Sequence, residues 1–123
     1  MMLSDLVGIP WKVGGRSLNG IDCVGLAILA QRVLCERELS FPQKYGESDQ
    51  HEKSVIIKEE VERLFSPAKA PETGAVGLFY FGDCWHVATF TDRTHFLHIF
   101  PGQTSRIHKL TRAYKNICKG VYV

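Results

Sequence analysis

The sequence predicts an α+β fold, with N-terminal helices packed on one face of a C-terminal antiparallel sheet. Two observations predict it. Helical patterns fill the first half of the chain and strand patterns the second, an order that argues against alternating parallel βαβ units. In addition, 123 residues that are 45% hydrophobic and 23% charged suffice for a single domain, residues 1–123, whose core requires no metal or disulfide staple.

Residues 1–20 contain Gly8, Pro10, Gly14, Gly15 and Gly20 and read as a short helical turn followed by an irregular loop. Asp22 then caps a helix whose first turns, residues 24–30, are apolar on every side before Gln31 and Arg32 bring in solvent. Residues 40–48 are a connection. Asp49 with Glu52 resembles a capping box that opens a second helix, and Ile57, Val61, Leu64 and Phe65 form its apolar stripe. Ser66-Pro67 ends it. After a link at 68–73, residues 75–81, 85–91, 94–100, 105–110 and 120–123 read as strands.

Composition already excludes several classes. Lys+Arg 15 against Asp+Glu 13 leaves a net charge of +2, with no basic tract for nucleic acid. The longest apolar runs, 24–30 and 75–81, fall far short of the ~20 residues that span a bilayer, so no membrane span is expected. Residues 1–10 lack a basic start and carry Asp5, so no signal peptide is read and synthesis in the cytoplasm is the expectation. Cys23, Cys35, Cys84 and Cys118 include no CxxC pair, and reduced thiols are expected.

One of these thiols stands apart. Cys23 follows the capping Asp22, so the helix dipole is expected to lower its pKa and make it the thiol that reacts fastest. Gly14-Gly15 and Gly20 would let a substrate backbone approach, and nearby backbone N–H groups would stabilise an oxyanion. A nucleophilic cysteine needs a base, and five histidines are available. If residues 91–93 form a three-residue hairpin loop, His86 faces His98 across the strands, whereas a two- or four-residue loop would bring His95 to that face, far along the strand. His51 and His108 read as solvated. Taken alone, Cys23 reads as a buried structural cysteine, and His86 and His98 as hydrogen-bonded sheet histidines; the functional reading rests on the three together. Cys84 with His86 would be half a metal site without a second ligand pair, so no metal and no cofactor are expected.

These residues also form a recognisable set. Gly8-Ile9-Pro10-Trp11-Lys12-Val13-Gly14-Gly15 and Gly20-Ile21-Asp22-Cys23-Val24-Gly25-Leu26 resemble the signature of the NlpC-type cysteine peptidases, as do Gly74 to Phe79, Trp85-His86-Val87-Ala88 and Phe96-Leu97-His98. The resemblance covers most of the chain and is nearest to the peptidase domain of phage tail-tip assembly proteins. It implies a minimal papain-like fold with Cys23 as nucleophile, His86 as base and His98 as its orienting partner. It also implies cleavage of the γ-D-glutamyl to diamino-acid bond of peptidoglycan stem peptides. Trp11, which stands where many members have tyrosine, Gly15, Asp22 and Trp85 are the candidate substrate-binding residues, with Phe79 lining the same groove. Phage tail proteins as partners and a virion-associated location follow from the same likeness. Two other functions fit this shell: a non-catalytic tail assembly component, and a thiol amidase or acyltransferase with another substrate.

Overall fold

The computed structural model describes residues 1–123, the side chains of residues 43 and 44 excepted. Its elements are β1 (Arg16–Ser17), β2 (Gly20–Ile21), α1 (Cys23–Cys35), α2 (Gln43–Glu47), α3 (Gln50–Leu64), β3 (Val76–Phe81), β4 (Cys84–Phe90), β5 (His95–His98), β6 (Arg106–Lys109), α4 (Arg112–Ile117) and β7 (Cys118–Tyr122), after a 3₁₀ turn at Leu3–Leu6. Five strands form one antiparallel sheet in the order β6-β5-β4-β3-β7, and β1 and β2 pair in a separate small hairpin.

Local chemistry sets the helix starts. Asp22 accepts a hydrogen bond from the Gly25 N–H and Asp49 one from the Glu52 N–H, each satisfying a donor that the first helical turn leaves free. Glycine freedom matters at the β3–β4 turn, where Gly82 and Asp83 both take positive φ, 59° and 58°, the geometry of a tight two-residue hairpin.

Alternation along the strands divides the core in two. Val76, Leu78 and Val87 face α1 and α3, where they meet Val24, Ala27, Ile57 and Val61. Ala75, Phe79, Ala88, Phe90 and Phe96 point to the opposite face, against Tyr114 and Ile117 of α4. That face differs from the expectation of helices on one side only. A strand pattern with Phe79, Phe90 and Phe96 all but fully buried has apolar rings on both faces, and at roughly 1.5–3 kcal/mol per ring the second face must be covered. The six-residue α4, opened by Thr111 at its N-cap, does so. Phe79, expected in the groove, is therefore core.

A third cluster joins the N-terminal segment, α1 and the end of β5 through Leu6, Ile9, Ile21, Leu26, Leu97 and Ile99. Buried Ser105 stitches it together. Its hydroxyl donates to the Leu6 carbonyl at 2.6 Å and accepts from the Ile9 N–H at 2.9 Å. This seam carries Trp11 to the start of α1.

Candidate active site

Cys23, Asp22, Trp11, Trp85 and His86 line one cavity of about 410 Å³, together with Tyr45, Lys53, Ser54 and Ile57 from α2 and α3. Gly15 is not on its wall. It packs beneath the β1–β2 hairpin, where an added Cβ would collide with the Gly20 carbonyl, and its own carbonyl accepts from Arg16 Nη1. The glycine needed there serves hairpin packing rather than substrate approach.

The opening beside Cys23 is made by strand pairing. β4 pairs with β3 along its whole length, but with β5 only at Thr89–Leu97 and Phe90–Phe96. The first half of β4 thus has a free edge toward β5, and the backbone N–H groups of Val87 and Val24 act on the Cys23 sulfur in the direction that lowers its pKa.

The thiol is not activated in the way expected. Burial of the sulfur and the adjacent Asp22 carboxylate push its pKa up to about 12, and the Val87 and Val24 N–H groups and Arg16 offset only part of this. The favourable partial charge at the helix N-terminus is outweighed by the desolvation of the sulfur, the largest of these effects. Arg16 is itself held by Asp22 at 2.7 Å, and the Tyr45 hydroxyl donates to the other carboxylate oxygen at 3.5 Å. Burial, first among several causes, also raises the Tyr45 pKa, so its hydroxyl keeps its proton.

The histidines sit as follows. The loop after β4 does have three residues, but they are 92–94 rather than 91–93, because the Asp92 side chain accepts the Thr94 N–H at 2.8 Å and residues 91 and 95 still pair. His86 and His98 therefore stay on one face, yet continuation of the ladder sets His86 opposite Phe100 and His98 opposite Ala88. The expected direct opposition is displaced by two residues. The His86 ring stacks on Phe81, with centroids 4.3 Å apart, and Phe100 stands edge-on to both His86 and His98, at 5.7 and 4.4 Å. His98 Nε2 shares a 2.7 Å hydrogen bond with His108 Nδ1, and the Tyr114 hydroxyl lies 3.2 Å from the same Nδ1. Among the described residues no hydrogen bond joins His86 to Cys23 or to His98.

Burial lowers the His86 pKa below the ordinary 6.5, and burial reinforced by the charges of His108, His86 and Arg106 lowers His98 to about 4. Both are neutral at neutral pH, as a base and its neighbour must be. His95 pairs with Asp92 in the exposed turn, away from the cavity. Cys84 does line the cavity with His86, but no group of three His, Cys, Asp or Glu side chains among the described residues is placed to hold a metal ion. Nor is any helix among them long and apolar enough to cross a membrane.

Sequence reasoning missed the α2–α3 side of the cavity. One signal was available, because Lys53 lies four residues before Ile57 and so extends the apolar stripe of α3 with a cation. For Tyr45, in a five-residue helix, there was none.

Comparison with known structures bears on the fold. The NlpC/p60 domain of the peptidoglycan hydrolase SagA matches 98% of this chain and 91% of its own, with a TM-score of 0.59 and 16% identity. An NlpC/p60 family protein from Bacillus cereus matches 94% of this chain with a TM-score of 0.63 and 18% identity, and this chain covers 35% of that protein's length. No family model and no curated protein matches the sequence. The chain has the fold of NlpC/p60 domains, a small papain-like α+β unit, as the motifs implied. Against the sequence expectation, Cys23 and His86 share a cavity with no hydrogen bond between them among the described residues.

Proposed function

We propose that the protein is a cysteine amidase of the cell-wall hydrolase type, cleaving the γ-D-glutamyl to diamino-acid bond of peptidoglycan stem peptides. One observation carries this reading: Cys23 at the start of α1 borders the cavity that His86 also lines. Cys23 is the nucleophile and His86 the base. Because the thiol is protonated at rest, its proton passes to neutral His86 as sulfur attacks the amide carbon, and the imidazolium then protonates the departing amine. Water, deprotonated by His86, cleaves the resulting thioester and restores the thiol. Rotation of the His86 ring out of its stack on Phe81 precedes the first transfer. His98, fixed by His108, acts as a positioning residue through Phe100, and Trp11, Asp22 and Trp85 form the peptide-binding walls.

The test is hydrolysis of muropeptides by three proteins. The unaltered chain is expected to release diamino-acid fragments, His86→Ala to lose activity entirely, and His98→Ala to retain a remnant. Equal, mild losses in both variants would overturn the base assignment.

A second reading has its own supporting observation. The stacking of His86 on Phe81 also fits a shell kept for binding, such as a structural part of a phage tail with a virion-associated location. Inactivity on every muropeptide, with no Cys23 adduct formed by a peptide electrophile, would favour it.

A further inference from the structure

Among the described side chains, the cavity holds one cation that the chemistry above leaves idle. Lys53 is only 7% exposed, lines the cavity beside Cys23, and carries its Nζ 5.3 Å from the centroid of the Tyr45 ring. Among the described side chains no other lysine or arginine is on that wall. Among the described residues Lys53 takes part in no ion pair. The one carboxylate on the wall, Asp22, is committed to Arg16 Nη1 and the Gly25 N–H, each at 2.7 Å.

A buried ammonium without a counter-ion is unfavourable, and the cation–π contact with Tyr45 offsets only part of the cost. Ile56, Ile57 and Val61 share that buried helix face with Ser54, which accepts the Trp85 N–H, and with Glu60, which accepts from Arg63. Low-dielectric walls from Trp11, Ile57 and Trp85 strengthen the attraction between this ammonium and any anion that enters. The missing counter-charge is therefore one a ligand supplies.

We infer that Lys53 determines specificity at this site by pairing with a free carboxylate on the substrate, next to the amide that Cys23 attacks. The substrate class is thus an acidic peptide. The inference rests on the amidase reading, and it adds a requirement which that reading alone does not make: amidation of a substrate carboxylate weakens recognition.

Binding and turnover of γ-D-glutamyl-diamino-acid peptides test it. The peptides have all carboxylates free or each singly amidated, and binding is measured by calorimetry beside the hydrolysis rate. For the unaltered protein, one amidation is expected to weaken binding about tenfold to a hundredfold, the loss typical of a charge-assisted hydrogen bond. Lys53→Met should bind the free and amidated peptides equally, and Lys53→Arg should restore the preference. Should Lys53→Met fail to fold, Lys53→Gln, of similar length, takes its place. Equal binding of all peptides by the unaltered protein, a preference that survives in the Met or Gln variant, or no binding of any peptide would each overturn the inference. Turnover separates this from the reading beneath it: cleavage that ignores amidation defeats the Lys53 role and leaves the amidase standing, whereas no cleavage at all defeats the amidase.

Discussion

The Asp22 carboxylate caps α1, pairs with Arg16 and raises the thiol beside it, so its substitutions separate three effects. Asn caps a helix about as well as Asp but carries no charge. In Asp22→Asn the Cys23 pKa should fall from about 12 toward its ordinary value, and iodoacetamide should label Cys23 severalfold faster at pH 8, followed by mass spectrometry. Asp22→Ala removes the cap as well, and should cost about 1–2 kcal/mol in thermal or urea unfolding. No acceleration in the Asn variant would show that desolvation alone holds the thiol protonated. His98 gives a second residue-scale prediction. It is buried neutral, with a folded pKa of about 4 against 6.5 in the unfolded chain, so between these values the unfolded state binds more protons. Its stabilising contribution is complete above pH 6.5 and is lost as the pH falls toward 4, at about 1.4 kcal/mol per pH unit. His86 and His108, also lowered by burial, act in the same direction. The melting temperature should drop over that window, with a shallower slope in His98→Gln.

At the scale of elements, the site depends on how closely the β1–β2 hairpin approaches the first turn of α1. Gly25 makes that approach possible: a Cβ there would collide with the Gly15 carbonyl and come within 2.8 Å of Ile21 Cγ1. Gly25→Ala improves helix propensity by about 1 kcal/mol, but it forces the hairpin away, and overpacking against backbone costs about 1–3 kcal/mol or more. The expected outcome is net destabilisation, measured by urea unfolding, as Arg16 and Asp22 lose register. A gain in stability would show that the hairpin moves freely. The other side of the cavity is tied by Ser54 of α3, whose hydroxyl accepts the Trp85 N–H at 2.6 Å and so uses the free end of β4 to seat a helix.

For the whole molecule, the proposed chemistry draws on a sulfur, an imidazole and water, and a charge of +2 gives no strong field for a polyanion. Muropeptide hydrolysis should therefore proceed unchanged in the presence of chelator. Loss of activity with chelator, restored by zinc, would return Cys84 and His86 to consideration as metal ligands.

The sequence by itself determined the starts of α1 and α3, the five strands of the main sheet, the α+β class and the residues that make the family resemblance. Each of these depends on short-range rules: a capping side chain three residues from its donor, an apolar alternation, a motif read in order. Tertiary structure alone decided the rest. A one-residue shift of the hairpin loop, set by the Asp92 side chain, moved the ladder two places and gave His98 to His108 instead of His86. Packing of α4 on the second face buried Phe79, and desolvation reversed the expected direction of the Cys23 pKa. The cation in the cavity became visible only when α2 and α3 closed over it and left it without a carboxylate, because burial and pairing are properties of neighbours far apart in the chain.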